Sequence, residues 1–442
     1  MRKINTALLV LVSCVLLAAT TLSAAPSGKV NLRFWTTHIY GPELEQAMKA
    51  LLDEWHRENP DIVVTYENIP GGDVQAKFMT AAKGDSLPDI VDGWSYQALQ
   101  LAQMGKVLPL DDIYAQWTKS GELADIVSES AYRKFYWKGH YWGIPWALDI
   151  RVIAYRKDLL EKKGIPVPTT WEDFEKAVLA LHDPKNNIYG LTHAAGFFHF
   201  AGQTFVPFMV QAGGGILNKD GKLVFATDNF EANLKALKFM TSFATVHKVT
   251  PPGIGSYDWD DSCAIFLAGR AAFSMERGNV ITRLLTERPD LAPNVRILPA
   301  LKGPAARVAA GFCNPLFISA DTKYPAEAKK FILWLTDKGH SMALFKARPG
   351  QMWPVRKSDY KDPFFKSNHL LNDVVEGVLP YIVDMAYPAP GVPEMGAIDG
   401  EKMFAAPVND VITGTKTPEE ALKAAHKNMQ RVFDESKATQ TR

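Results

Sequence analysis

Residues 30–66 read VNLRFWTTHIYGPELEQAMKALLDEWHRENPDIVVTY, and this stretch decides the fold. Val30–Trp35 alternates between apolar and polar side chains, as a half-buried strand does. From Pro42 the apolar residues recur on one helical stripe, namely Leu44, Met48, Leu51, Leu52 and Trp55. Asn59 precedes a proline and so resists the α conformation, which ends the helix before a second strand over Asp61–Tyr66. Strand, helix and strand in this order predict a largely parallel, doubly wound α/β sheet.

The same alternation of strands and helices continues downstream. Asp89–Val91 has the composition of a third strand. Capping residues mark later helix starts, namely Thr170 and the pairs Asp228-x-x-Glu231 and Thr417-x-x-Glu420. A length of 442 residues favours two such domains.

Composition excludes several classes of protein. Hydrophobic residues make up 47% and charged residues 22%, which is typical of a folded globular chain. Lys plus Arg (49) balances Asp plus Glu (48), so there is no basic excess of the kind that nucleic-acid binding requires. We therefore expect no nucleic-acid partner.

The first 25 residues predict a signal peptide. Arg2 and Lys3 precede an apolar stretch from Ala7 to Ala19, and small residues follow where signal peptidase could cut. We therefore expect an exported protein in the periplasm. The alternative is a membrane-tethered lipoprotein, because Leu11 to Cys14 resembles a lipobox. Of the other two cysteines, Cys263 and Cys313, we expect free buried thiols, with a disulfide between them as the alternative.

Signatures of catalysis are missing from the sequence. It contains no G-x-S-x-G, no H-E-x-x-H, no Walker A motif and no G-x-G-x-x-G. The ten histidines show no metal-ligand spacing. We expect a non-catalytic binding protein without cofactor or metal. A glycoside hydrolase stays open as the alternative, because its two carboxylates carry no universal spacing.

Polar and aromatic residues cluster where predicted strands end. Ligands of doubly wound sheets lie beyond the carboxyl ends of the strands. Four such ends stand out, at residues 35–40, 92–96, 142–151 and 276–279. Carboxylates, amides and Arg suit sugar hydroxyls, and the rings of Trp94 and Trp146 suit the flat faces of a pyranose. These clusters predict a carbohydrate site.

Several motifs resemble one family along almost the whole chain. Gly84-Asp85 with Leu87-Pro88-Asp89 resembles a strand entry of the extracellular solute-binding proteins of sugar ABC importers. More specific is the crossover that runs from Gly143-Ile144-Pro145 through Asp149-Ile150-Arg151 to Tyr155-Arg156-Lys157-Asp158-Leu159. The family is solute-binding protein family 1, which is maltose-binding-protein-like.

The resemblance implies an architecture and a function. It implies two doubly wound α/β lobes joined by a multi-strand hinge, the type II periplasmic-binding-protein fold. Lobe 1 would comprise residues 26–150 and 312–352, and lobe 2 residues 151–311 and 353–442. The protein, a monomer, would capture a mono- or oligosaccharide by hinge closure and deliver it to the permease subunits of an ABC transporter. Within this fold, a polyol, a peptide or a glycerol phosphate ester is an alternative ligand.

The resemblance also implies most of the residues that form the pocket. Together with Trp146, they are Thr37, His38, Gln75, Asp92, Trp94, Asp149, Arg151, Glu276, Gly278, Asn279, Trp353 and Tyr387. Some have structural alternatives: Asp149 and Arg151 would form a hinge ion pair, Glu276 would pair with Arg277 in solvent, and His38 would lie on a surface loop.

Overall fold

The structure is a computed structural model that describes residues 29–69 and 74–440. The predicted signal peptide, residues 1–25, and with it Cys14, lies outside the described residues. Within the described part, no helix is both long and apolar enough to cross a bilayer.

The described residues form eleven strands. They are β1 Val30–Thr36, β2 Ile62–Asn68, β3 Ile90–Asp92, β4 Tyr136–Trp137, β5 His140–Tyr141, β6 Ile144–Arg156, β7 Tyr189–His193, β8 Ala271–Arg277, β9 Val295–Ile297, β10 Ala309–Ile318 and β11 Ile382–Val383.

The helices separate these strands along the chain. They are α1 Pro42–Glu58, α2 Val74–Lys83, α3 Gln97–Gln103, α4 Asp111–Ser120, α5 Glu122–Asp125, α6 Ser130–Arg133, α7 Lys157–Lys163, α8 Trp171–Leu181, α9 His199–Gln211, α10 Phe230–Thr245, α11 Trp259–Leu267, α12 Val280–Glu287, α13 Pro325–Leu335, α14 Lys338–Ala347, α15 Phe364–Ser367, α16 His369–Gly377, α17 Glu394–Gly400, α18 Ala406–Ile412 and α19 Pro418–Gln440.

One sheet runs through the molecule in the order β2-β1-β3-β10-β6-β8-β7, with β11 beside β10 and β9 beside β6. Pairing is parallel at both ends, between β2, β1 and β3 and between β8 and β7. It is antiparallel in the middle, where β10 and β6 join the two parallel parts. Each parallel part has the strand–helix–strand order that the sequence predicts.

Three segments near the predicted lobe boundaries lie side by side. Asp149 on β6 faces Phe312 on β10, and Leu148 forms an isolated bridge with Trp353. Beyond Ile150, β6 exchanges its partner β10 for β8, with Arg151 opposite Arg277. The proposed lobe boundaries themselves stay a prediction.

Local signals explain most helix starts. On α1 the predicted apolar stripe is the buried face. The Thr170 hydroxyl accepts the Asp173 N–H at 3.2 Å, and Thr417 and Glu420 form the expected reciprocal cap. The predicted cap at Asp228 is wrong, because α10 begins one residue later, after Asn229, whose amide instead donates to the Gly215 carbonyl at 3.1 Å.

Cys263 on α11 and Cys313 on β10 are free thiols, and both are buried. Burial raises the pKa of both thiols, that of Cys313 to about 12. A buried thiol of this kind packs as a small hydrophobic side chain.

Candidate functional site

A cavity of about 660 Å³ lies where the two parallel parts of the sheet meet the antiparallel middle. Its volume is in the range of about 300–1,000 Å³ that small-molecule sites occupy. Its walls come from strands, from the loops that follow them and from helices. The residues on strands and on the loops after them include Thr37, His38, Tyr40, Trp94, Ser95, Asp149, Arg151, Arg277, Asn279, Phe312 and Asn314. The helical and loop residues include Gln75, Phe198, His199, Phe200, Gln203, Trp259, Asp260, Asp399 and Lys402.

One wall is held by a buried hydrogen-bond network after β1. The His38 Nδ1 lies 2.8 Å from Asp92 Oδ2, and its Nε2 lies 2.8 Å from the Asn314 amide nitrogen. Because an amide nitrogen only donates, Nε2 must accept, so Nδ1 carries the proton and donates to Asp92. Asp92 also accepts from the Thr36 hydroxyl at 2.7 Å. This chain of bonds fixes the orientation of the His38 ring against the cavity.

The centre of the site is an ion pair on β6. Asp149 and Arg151 are two residues apart, so both side chains project from one face of the strand. Arg151 donates through two nitrogens to the two Asp149 oxygens, at 2.6 and 3.0 Å, and also to the Gln203 side chain. Arg277 on the neighbouring strand adds a second cation, with Nε 3.7 Å from Asp149 Oδ1.

The charges of Arg151 and Arg277 set the protonation state of Asp149. Burial alone would raise the pKa of Asp149, but the attraction of Arg151 and Arg277 outweighs it and holds that pKa below its usual range. Asp149 is therefore a carboxylate at any physiological pH. A group with so low a pKa is a poor general acid or base.

Aromatic rings close the site from the helical side. The Trp94 and His199 rings lie 4.7 Å apart, and Phe200 packs between His199 and Trp259 at 4.0 and 4.8 Å. The Arg151 guanidinium lies over the Trp259 ring at 5.2 Å. Burial, with Arg151 and Arg277 nearby, lowers the pKa of His199 to about 3, so this ring is neutral. The wall offers flat apolar faces beside fixed polar groups.

Two further carboxylates lie at or behind the far wall. Asp399 lines the cavity, its Oδ1 has no hydrogen-bond partner, and burial raises its pKa to about 7. Behind Ser95, Lys134 donates to both Ser95 and Asp384, and the Tyr96 hydroxyl donates to Asp384. Burial raises the pKa of Asp384 and lowers that of Lys134. No cluster able to hold a metal ion occurs among residues 29–69 and 74–440.

Comparison with known proteins assigns the chain to a family. The model of the bacterial extracellular solute-binding proteins matches residues 41–341. The chain belongs to this family. The resemblance drawn from the motifs is therefore confirmed.

Relatives and solved structures agree with this assignment. This solute-binding protein is 23% identical over 439 residues to a putative ABC transporter periplasmic-binding protein of Escherichia coli, covering 96% of this chain and 97% of that one. It is 24% identical to a maltotriose-binding protein of Pyrococcus abyssi, over 85% of this chain and 76% of that one. A sugar transporter from Arthrobacter chlorophenolicus, solved with laminaribiose, superposes with a TM-score of 0.79 at 23% identity, covering 91% and 99%. The α/β fold class of this solute-binding protein is thereby confirmed as type II.

Seven of the residues predicted to form the pocket of this solute-binding protein line the cavity. They are Thr37, His38, Gln75, Trp94, Asp149, Arg151 and Asn279. Gln75 is held from two sides, since its amide donates to Gln100 at 2.9 Å and its oxygen accepts from Gln97 at 3.0 Å. Asp92 lies behind the wall and acts on it through His38.

The structure places the other predicted residues away from the cavity. Trp146 and Trp353 are buried in the core, and Gly278 packs against Gly350, where a Cβ would lie 2.3 Å from a backbone oxygen. Tyr387 is 42% exposed at the surface.

Glu276 points to the opposite face of β8 from Arg277. It accepts hydrogen bonds from Ser262 at 3.1 Å and from Ser274. Burial raises its pKa to about 8. The alternative of a solvated pair with Arg277 is wrong, because the residue is 1% exposed and lies on the other face of the sheet.

Several lining residues were not selected from the sequence. Gln203 and His199 come from α9, Trp259 from α11 and Asp399 from α17, and none lies at a strand end. The signals that could have found them are local. They are the aromatic run Phe197-Phe198-His199-Phe200 and the sequence Asp258-Trp259-Asp260 at a capped helix start.

Proposed function

We propose that this protein captures a sugar in the cavity, closes its two lobes around it and delivers it to the membrane permease of an ABC importer. The observation that carries the proposal is the combination of an ion-paired Asp149–Arg151 centre with a wall of aromatic rings. Fixed carboxylate and guanidinium groups satisfy hydroxyls, and rings cover the apolar faces of a pyranose. A relative named as a maltotriose-binding protein and a similar sugar transporter solved with bound laminaribiose support a carbohydrate ligand.

The mechanism that we propose is reversible hinge closure. Trp94 follows β3 in the first predicted lobe, and His199 opens α9 in the second, yet their rings lie 4.7 Å apart. A ligand that touches both walls binds the closed form better than the open form, and this difference in affinity drives closure. We propose that no bond of the sugar is cut; Asp149, which two arginines hold as a carboxylate, is a poor general acid.

The cellular setting belongs to the same proposal. The family consists of extracellular binding proteins, and we propose a periplasmic monomer that works without a cofactor. A lipoprotein anchored through Cys14 is the alternative setting. Mass spectrometry of the mature N-terminus distinguishes the two, because acylation adds the mass of its lipid chains.

A thermal-shift screen tests the function directly. Mono- and oligosaccharides, polyols and glycerol phosphate esters are added to the purified protein. A ligand at about 100 times its Kd should add about 2.7 kcal/mol to the free energy of unfolding. Chromatography of the same mixtures looks for new products. Turnover of a sugar without a stable complex would establish a hydrolase instead.

A variant pair locates the binding. Trp259→Ala removes a lining ring and should weaken the best sugar by about 1 kcal/mol or more. Trp137→Ala removes a ring of the β4–β5 hairpin, which does not line the cavity, and should leave the affinity unchanged. Equal effects of the two variants would place the sugar elsewhere.

A further inference from the structure

The Arg277 side chain stands out within the cavity because, among the described residues, its neighbours are the neutral Tyr40 hydroxyl and a distant carboxylate, and its Nε has no acceptor. Only 15% of the side chain is exposed, and its Nε has no hydrogen-bond partner among the described residues. Its nearest carboxylate oxygen, Oδ1 of Asp149, is 3.7 Å away, which is beyond hydrogen-bond length. A nearly buried guanidinium in this state has lost water without gaining acceptors.

Arg151, on the adjacent strand, shows the contrast. It donates to both oxygens of Asp149 and to Gln203, so the protein itself supplies its acceptors. Asp149 therefore neutralises Arg151 in close contact and reaches Arg277 only at longer range. Arg151 and the largely buried Arg277 share one largely buried carboxylate.

The surroundings of Arg277 add no second anion in contact with it. Its guanidinium lies 6.0 Å from the Tyr40 ring, and the Arg348 guanidinium lies 5.6 Å from the same ring. At the rim, Asp258 accepts the N–H groups of Asp260 and Asp261 as a helix cap. Asp260 is exposed and pairs with Arg283 at 3.3 Å.

The Arg277 guanidinium stays protonated and so keeps its positive charge. Burial would lower the pKa of Arg277, but Tyr40 and Asp149 raise it above its usual value, so the side chain stays charged. Asp399, the other buried carboxyl of the cavity, has its pKa raised by burial to about 7 and contributes only part of a negative charge at neutral pH. Lys402 at the opposite edge adds another cation.

We propose that the sugar captured here is acidic, and that its carboxylate binds the Arg277 guanidinium, with the Tyr40 hydroxyl as a second donor. The inference rests on the proposed function and narrows its ligand class. The Tyr40 hydroxyl lies beside Arg277, and Tyr40 lines the same cavity. A guanidinium matches a carboxylate with two parallel hydrogen bonds, and a bound carboxylate would supply the close acceptors that Arg277 lacks.

Matched pairs of sugars test the charge. Titration calorimetry compares D-glucuronate with D-glucose, D-galacturonate with D-galactose, and digalacturonate with its neutral dihexose counterpart. Glucose 6-phosphate tests whether the site prefers a phosphate group to a carboxylate. We expect at least one acidic sugar to bind roughly tenfold to a hundredfold more tightly than its neutral partner, because a hydrogen-bonded charge is gained.

Two variants test the residue. Arg277→Gln keeps donors but removes the charge, so the ratio of the affinity for the acid to the affinity for its neutral partner should fall at least about tenfold. Arg283→Gln changes an arginine outside the cavity lining and should keep the preference. The melting temperature without ligand shows whether each variant is folded. If Arg277→Gln does not fold, the acid-to-neutral ratio of the unaltered protein still decides.

The outcomes separate this inference from the proposed function. Neutral sugars that bind as tightly as their acids would overturn the acidic ligand and leave sugar capture standing. A sugar phosphate that binds more tightly than every uronate would overturn the carboxylate assignment. No binding of any sugar would refute both proposals.

Discussion

Replacing Asp149 should destabilise the folded protein strongly, because two buried arginines depend on it. Asp149→Asn keeps the size of the side chain but removes its charge. Arg151, bonded to it at 2.6 and 3.0 Å, and Arg277, at 3.7 Å, would then lose their shared counter-ion. Removing one partner of a buried ion pair typically costs about 3–5 kcal/mol. We expect a loss in that range at pH 7.

Urea unfolding, followed by tryptophan fluorescence and circular dichroism, measures this loss. Arg288 and Asp290 supply a matched control, since they form the same two-residue, two-bond arrangement at 2.9 and 2.7 Å on the surface. Asp290→Asn should leave the urea midpoint close to that of the unaltered protein, because water screens an exposed pair. A loss of less than 1 kcal/mol for Asp149→Asn would refute the reasoning about the buried centre.

The effect should also depend on pH in one direction. The folded state holds the pKa of Asp149 below its unfolded value, so the stabilisation is fully present above an unfolded pKa of about 3.9. It is lost as the pH falls from there towards the folded pKa. The difference between Asp149→Asn and the unaltered protein should therefore be constant from pH 5 to 8 and shrink below pH 4. A difference that grows on acidification would contradict the assignment.

Three further predictions concern buried groups. Burial raises the pKa of Glu276 to about 8, so the free energy of unfolding should fall as the pH rises from the unfolded pKa of this residue towards 8. In urea unfolding, Glu276→Gln should match the unaltered protein at pH 5 and be more stable at pH 8. Equal stability of the two proteins at both pH values would contradict this prediction. Cys263 and Cys313 are buried with raised pKa values, so Ellman's reagent should label them only after unfolding, and rapid labelling of the native thiols would show otherwise. Trp94 lines the cavity and Trp146 does not, so Trp94→Phe should reduce a sugar-induced change in fluorescence and Trp146→Phe should not; the reverse result would move the ligand to the other face of the sheet.

The sequence predicted the fold well where one local rule decided. The strand and helix of residues 30–58 follow from apolar spacing, and Thr170 and Thr417 cap helices as their positions indicate. At Asp228 two neighbouring residues could cap, and the contact of Asn229 with Gly215, made through the tertiary structure, decided between them.

The site was harder to predict because the central strands are buried on both faces. Every residue of β8 except Arg277 is buried, so no polar alternation shows which face holds the ligand. Glu276 and Arg277 are adjacent and must point apart, and only the assembled sheet shows that Arg277 faces the cavity. Side chains alternate between the two faces on β6 as well. Asp149 and Arg151 therefore line the cavity, and Trp146 lies in the core.

Residues from distant helices were beyond sequence reasoning for another reason. Gln203 reaches Arg151 from a position 52 residues away, and Trp259 lies over the same guanidinium from α11. Their roles arise from the packing of α9 and α11 against the sheet. No spacing within the chain encodes that approach.

The position of the proposed binding centre on β6 constrains how this protein can acquire a different ligand preference. The strand that carries Asp149 and Arg151 is also paired with β10 on one half of its length and with β8 on the other. The same strand thus carries the proposed ligand contacts and the connection between the two parts of the sheet. A substitution on β6 should therefore alter ligand affinity and lobe movement together. Selection for a different ligand should therefore act first on Trp259, Asp260 and Lys402. These residues lie at a helix start and in a turn, which can vary without disturbing the pairing of β6 with β10 and β8.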